Sequence, residues 1–270
     1  MKCKLCQNEK FDHLFSKGDF QIERCTKCGL VRTFGDRVSE SKEYHRDSDY
    51  KKYEKEFVNI FKLRFNRIKE HKKLPGNVLD VGCSTGLLLE LFKKEGWEAW
   101  GVEPSGSAKL AKKRGINVVK KNFENADLKN NYFDVVLLNH TLEHTKDPFK
   151  VLKKVNKLLK KGGVLYVDVP NFGSWDRVVR QMHWPYLLPE EHVHHFDRKS
   201  LTKLINKSGF RVKKVWCRSG LLDVANPVVK IELDFKNRPI AFINDVMDLP
   251  GNLVTTVFNK GNSLGVIAVK

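Results

Sequence analysis

Four of the six cysteines stand in two tight pairs, Cys3-x2-Cys6 and Cys25-x2-Cys28, with 18 residues between the pairs. Two such knuckles bring four thiolates to one tetrahedral ion, and at this spacing they predict a zinc site. With sulfur in every position, that zinc would be structural and not catalytic. A redox-active thiol pair is the competing chemistry. Residues 1–35 are too few to bury a core of their own, so an ion would supply much of the segment's stability. His13 lies between the pairs and reads as a surface residue, whereas Cys83 and Cys217 read as small buried fillers.

A second concentration of reactive groups lies in Pro189-Glu190-Glu191-His192-Val193-His194-His195-Phe196-Asp197, which holds three histidines and two glutamates in six residues. Histidine exchanges protons near neutral pH. The same residues could instead hold a second metal ion or cap the helix expected after them.

A third feature is the run Asp80-Val81-Gly82-Cys83-Ser84-Thr85-Gly86, an apolar strand entering a glycine turn. Such a turn lets backbone N–H groups approach a ligand. A dinucleotide fingerprint requires G-x-G-x-x-G. Counted from Gly82, the second and third glycine positions hold Ser84 and Leu87, so that pattern fails. Asp80 puts a carboxylate at the strand end, which suits an ammonium group and not a phosphate. S-adenosylmethionine carries an ammonium and a sulfonium and no phosphate. Glu103 follows at the end of the next strand, where an acid can hold ribose hydroxyls.

These groups need a frame. Apolar residues at helical spacing predict one amphipathic helix over residues 50–72, after a polar linker at 36–48. Strands at 78–81, 99–103, 117–120, 133–139 and 164–169 then alternate with helices at 87–94, 107–114 and 147–160. That order implies a parallel sheet with helices on both faces. Asp197 caps a further helix over 201–207, strands follow at 211–216 and 264–269, and residues 219–263 read as partly helical. The organisation is a zinc-binding module at 1–35, a linker and helix at 36–74, and a ligand-binding domain at 75–270.

The chain has 270 residues, 41% of them hydrophobic and 30% charged, as in a soluble globular protein. No apolar run is long enough to span a membrane and no secretory signal opens the chain, so the expected location is cytoplasmic. The net charge of +18 raises a nucleic-acid reading. The positive excess is nearly even, however, at +7 in residues 1–75, +6 in 76–180 and +5 in 181–270. That spread favours a solvated surface or an anionic small-molecule substrate over a nucleic-acid arm.

Together Asp80 to Gly86, Gly101-Val102-Glu103, Phe133-Asp134-Val135-Val136, Asn139-His140-Thr141-Leu142-Glu143-His144 and Leu159-Lys160-Lys161-Gly162-Gly163 resemble the successive motifs of class I S-adenosylmethionine-dependent methyltransferases. The resemblance covers roughly 50–218 and returns at 264–270. It implies a doubly wound, seven-stranded Rossmann-like sheet, with the last strand inserted antiparallel beside 211–216. It also implies that Asp80, Gly82, Cys83, Ser84 and Gly86 cradle the methionine part and Glu103 takes the ribose. Phe123 and Glu124 would border the adenine, Asn139 and His140 would line the methionine side, and Pro104 would also contact the cofactor. Two departures are Ser84, where a third glycine is common, and Asn122, near the usual place of an acid. His192, His195 and Phe196 match a motif of small-molecule methyltransferases related to the ubiquinone pathway. Glu191-His192 also resembles the acid–histidine pair of zinc-containing sugar C-methyltransferases, which implies His192 as general base and Glu191 as its orienter. His140 and His144 are weaker candidates. The implied function is methyl transfer to a small molecule, a sugar or nucleotide-linked sugar. The alternative, from a second group of zinc-containing enzymes, is methylation of an RNA base.

Overall fold

The computed structural model describes residues 2–35 and 52–270. The expected linker at 36–48 and the first residues of the expected amphipathic helix lie outside the described residues. The described part of that helix, α1, is Glu54–Lys69. It buries Phe61, Phe65 and Ile68 on the face that their spacing predicts.

Strands β1 (Phe11–Lys17), β2 (Phe20–Cys25) and β3 (Val31–Phe34) form an antiparallel meander in the N-terminal module. The large sheet begins with β4 (Asn77–Val81) and continues through β5 (Glu98–Val102), β6 (Asn117–Val119), β7 (Phe133–Asn139) and β8 (Leu159–Pro170). Helices α2 (Leu87–Lys94), α3 (Ala108–Lys113) and α4 (Pro148–Leu158) connect them. Asp147 caps α4 by accepting from the Lys150 N–H at 3.1 Å, with Pro148 in the first turn. Every residue of β7 from Phe133 to Leu138 is buried, and Val135 to Leu138 read as one continuous apolar run.

Helix α4 stops at Leu158, and β8 starts earlier than its apolar run predicts. Leu159 already pairs with Phe133, and the glycine pair is absorbed as a bulge, with Gly162 at φ +74°. After α5 (Trp175–Arg180) comes a two-residue strand β9 (His194–His195), then α6 (Arg198–Lys207) and β10 (Arg211–Arg218). Asp197 and Ser200 make a reciprocal capping box, so α6 starts three residues before its apolar pattern does. Residues 219–263 contain three helices, α7 (Pro227–Asn237), α8 (Pro239–Met247) and α9 (Leu249–Val257), and β11 (Ser263–Val269) closes the chain.

The large sheet has seven strands in the order β10-β11-β8-β7-β4-β5-β6. Strand β11 runs antiparallel between β8 and β10, as expected. The small sheet has the order β1-β2-β3-β9, so its fourth strand comes from the histidine-rich segment. Val31 pairs with His195 and Arg32 with His194. The N-terminal module is therefore stitched to the main domain, and it shares a core with it. Cys3, Leu5, Cys25 and Leu30 belong to one buried cluster with Phe196, Leu201, Leu204 and Ile205.

Helix α1 is tied to the start of the 219–263 segment by polar contacts. Asn59 and Asn226 exchange two hydrogen bonds, at 2.8 and 2.9 Å. The buried Arg64 pairs with Asp168 at 3.2 Å and with Asp223 at 3.0 Å. No described helix is long and apolar enough to cross a membrane.

Candidate active site

Asp80 is buried at the carboxyl end of β4. The backbone then turns through Gly82 at φ +76°, Ser84 at φ +44° and Gly86 at φ +81°. A β-carbon on Gly82 would lie 2.8 Å from the Thr141 hydroxyl oxygen, and one on Gly86 would lie 2.9 Å from the Ala111 β-carbon. Both positions therefore need glycine for space as well as for dihedral angle. Ser84 occupies the left-handed region without being glycine, which explains why glycine suits that position. Its strain is held by the Ser84 N–H, which donates to Glu103 Oε2 at 2.9 Å. The other Glu103 oxygen accepts from the Ser105 N–H at 2.8 Å, so one buried carboxylate ties the two loops together. Pro104 next to it is exposed, and Cys83 is buried.

Burial pushes the Asp80 carboxyl well above the usual carboxylate range, and the Glu103 charge adds to the shift. Asp80 Oδ1 is buried and accepts no hydrogen bond from a described residue. The same holds for Asn139 Oδ1 at the end of β7, which pairs with β4. Two buried acceptors at adjacent strand ends call for a donor. His140 follows at φ +52°, half-buried, its N–H donating to the Asp168 carbonyl at 2.8 Å. Farther along the strand ends, Phe123 is buried in a short helical turn and Glu124 is exposed. Lys154 of α4 donates to the carbonyls of Phe123, Glu124 and Ala126 at 2.6, 3.2 and 2.7 Å.

The other side of the cleft is built by a hook. The Val193 N–H donates to the Glu143 carbonyl at 2.8 Å, which draws the histidine-rich segment onto the turn after β7. As a result the His192 ring lies 4.8 Å from the His144 ring, edge to face. Glu143, His144 and His192 offer ligand atoms that all lie within 4.8 Å of one another. The Glu143 carboxylate is buried, with Oε1 3.3 Å from His140 Nδ1. Glu191, half-buried, adjoins His192 in the chain. His195 turns to the module instead, its Nε2 2.9 Å from the Thr33 hydroxyl.

A strand-end cleft of this kind is shared by many nucleotide folds, and comparison decides among them. The model of the methyltransferase-domain family matches residues 50–215. The chain belongs to that family. It carries a methyltransferase domain. The chain is 34% identical over 152 residues to the ubiquinone biosynthesis O-methyltransferase of Pseudomonas paraeruginosa, covering 53% of the chain and 60% of that enzyme. It is 32% identical over 123 residues to an uncharacterized protein of Methanocaldococcus jannaschii, covering 45% and 57%. The chain thus spans less than two thirds of the length of these curated relatives. Among solved structures, a SAM-dependent methyltransferase of Thermotoga maritima superimposes with a TM-score of 0.57 at 23% identity, over 84% of this chain and all of that one. Phosphoethanolamine N-methyltransferase 2 of Haemonchus contortus, solved with S-adenosyl-L-methionine, gives 0.60 at 16% identity, over 95% and 70%. At such identities the likeness is one of fold.

In the N-terminal module the four cysteines converge. Cys3 and Cys28 sulfurs are 3.5 Å apart, as are those of Cys6 and Cys25. Burial works against ionisation of Cys25 but is outweighed by hydrogen bonds from the Cys28 and Lys27 backbone and the Asn8 amide, which bring its thiol to about 6. His13 is exposed and contacts Ser16, away from the cluster.

Three contributors to the site escape sequence reasoning. Thr141 shapes the glycine turn, its hydroxyl donating to the Val81 carbonyl at 2.7 Å. Lys154 is one lysine among many in α4, with nothing local to single it out. Arg64 did leave a signal, because it stands on the apolar face of α1 with Phe57, Phe61 and Ile68. A cation in an apolar stripe implies a buried acid, here Asp168 and Asp223.

Proposed function

We propose that the chain transfers a methyl group from S-adenosylmethionine to a small-molecule acceptor, a sugar or nucleotide-linked sugar, and carries one structural zinc. The observation that carries this reading is the pair of buried, unpaired acceptors, Asp80 Oδ1 and Asn139 Oδ1, beside a backbone turn that leaves no room for a β-carbon at Gly82 and Gly86. An ammonium group supplies the donors that these oxygens lack.

Asp80 would take the ammonium of the cofactor, with Gly82, Cys83, Ser84 and Gly86 along the methionine part and Asn139 and His140 on its other side. Glu103 would accept from ribose hydroxyls through its remaining lone pairs. Pro104, Phe123 and Glu124 would border the adenine. When bound, S-adenosylmethionine supplies an electrophilic methyl on a sulfonium. The protein's part is to hold the acceptor in line and relieve it of its proton. That deprotonation depends on His192, buried at the mouth of the histidine loop, with Glu191 orienting it. Residues 219–263, anchored through Asn226 and Asp223 to α1, would cover the acceptor.

The cysteine cluster fits zinc. Neighbouring sulfurs around an ion with Zn–S bonds of about 2.3 Å sit about 3.8 Å apart, close to the separations found here. Four thiolates complete the shell, so this ion would hold structure and take no part in transfer.

The test joins calorimetry to a transfer assay. S-adenosylmethionine should bind the zinc-loaded protein, and a radiolabelled methyl should pass to a member of a nucleotide-sugar panel. His192→Ala should cut that transfer by about 100-fold or more while cofactor affinity holds. Absence of binding heat would end the cofactor assignment. Transfer to RNA in place of every small molecule would end the acceptor assignment.

A further inference from the structure

We propose that Glu143, His144 and His192 form a second metal site, one that takes a divalent cation and presents it to the acceptor. The inference deepens the proposal that the acceptor loses its proton beside His192, and it rests on that reading. Two histidines and a carboxylate are a common set for a catalytic ion, which keeps further positions open for water or substrate. The three residues come from two segments that the Val193-to-Glu143 hydrogen bond locks together, so their approach is built by the backbone. Their ligand atoms lie within 4.8 Å of one another. Around an ion with bonds of about 2.1 Å, neighbouring ligands stand roughly 3.4 Å apart. Binding an ion would require the side chains to rotate and close that difference.

A second observation points to a missing positive charge. Glu143 is 1% exposed, and neither of its carboxylate oxygens accepts a hydrogen bond from a described residue. Burying a carboxylate in that condition is costly unless a charge compensates it. The neighbouring groups are His140, 3.3 Å from Oε1, and His144, 4.0 Å from the same oxygen. Each can be cationic only when protonated. A divalent ion bound by neutral imidazoles would satisfy Glu143 without protonating either ring.

The position gives the ion its use. His140 and Asn139, which we place on the methionine side of the cofactor, directly precede the turn that carries Glu143 and His144. An acceptor hydroxyl bound to the ion would therefore face the methyl. Coordination lowers the pKa of that hydroxyl. Its O–H bond breaks with the electron pair left on oxygen, and the proton passes to water. In this arrangement His192 serves deprotonation as a ligand.

Cobalt(II) titrated into the metal-free, full-length protein under reducing conditions separates the two sites. The cysteine cluster announces itself by thiolate-to-cobalt charge-transfer absorption. The proposed site should then take one more equivalent, with weaker visible absorption and no added charge-transfer band. Glu143→Gln and His192→Ala should each weaken that second binding by about 10- to 100-fold or more while the charge-transfer band stays. A wild-type protein that stops at one equivalent overturns the metal site, as does a second equivalent that both variants retain. Transfer assays keep the underlying reading apart from this one. If no second ion binds but His192→Ala still abolishes transfer, the cation falls and His192 stands as a base. If His192→Ala leaves transfer unchanged, the deprotonation reading itself falls.

Discussion

The proposed cofactor half of the site is assembled within residues 80–141, from strand ends and turns that are neighbours in the sheet. The proposed acceptor half draws on residues 31–33, 143–144 and 192–195, which β3–β9 pairing and the hydrogen bond from Val193 to Glu143 bring together. The first half is local and stands on the large sheet. The second is held from outside by a module whose own core is shared. One fold thus carries a cofactor site that should survive damage to the N-terminal module and an acceptor site that should not.

The sharpest way to break that contrast is to disable the proposed zinc site. Cys25→Ser leaves three sulfurs, and the short module cannot hold its sheet on apolar burial alone. Strand β3 should then release His194 and His195, and with them His192. Transfer is expected to fall by about 100-fold or more, while the heat of S-adenosylmethionine binding stays within a factor of about three. Zinc content, transfer rate and calorimetry on one preparation check this together. Equal loss of both activities would show that the two halves are a single unit.

The same contrast explains what could be read without coordinates. The five parallel strands were legible because they are written as short apolar runs between turns and helices. The places of Asp80, Gly82 and Glu103 at strand ends and in the turn were legible because they follow a fixed order along the chain. The four cysteines were legible from spacing alone. The meeting of His192 with Glu143 and His144 was not, because it depends on a register between strands some 160 residues apart. No local pattern encodes that register. Helix ends slipped for a related reason, as at Leu158, where pairing of Leu159 with Phe133 overrides helix propensity in the residues before the glycines.

Asp80 offers a smaller effect that sharpens the cofactor side. Its carboxyl is held up first by burial and then by Glu103, so the ligand-free fold favours the protonated form. A folded-state pKa above the unfolded value means that this group's contribution to stability is full below about pH 3.9 and is lost as pH rises through the folded pKa. Asp80→Asn should therefore raise the melting temperature of the ligand-free protein at neutral pH. An ammonium ligand instead favours the charged carboxylate. Affinity for S-adenosylmethionine should rise with pH until Asp80 is ionised in the free protein and then level off. Asp80→Asn should flatten that profile and weaken binding by roughly 30-fold, the loss of one charge-assisted hydrogen bond of about 2 kcal/mol. Calorimetry across pH checks the slope, and an unchanged slope in the variant would place the ammonium elsewhere.

Lys154 gives the smallest effect and the most local one. Its ammonium gathers three carbonyls of the turn that carries Phe123 and Glu124, and α4 supplies it from below. Burial lowers its pKa somewhat, with Glu124 and Asp127 opposing the shift, yet it remains the donor that fixes the turn. Lys154→Met keeps the aliphatic stem and deletes the charge. The carbonyls lie near the surface, so water replaces part of what is lost, and the net cost should be about 1 kcal/mol. If the turn borders only the adenine, as proposed, that cost should fall on cofactor binding, as a roughly fivefold rise in KM for S-adenosylmethionine with kcat unchanged. Lys154→Arg, which restores a donor of similar reach, should recover most of the difference. A fall in kcat with KM unchanged would mean that the turn senses the reacting methyl and not the base, and the division between the two halves would then have to be redrawn.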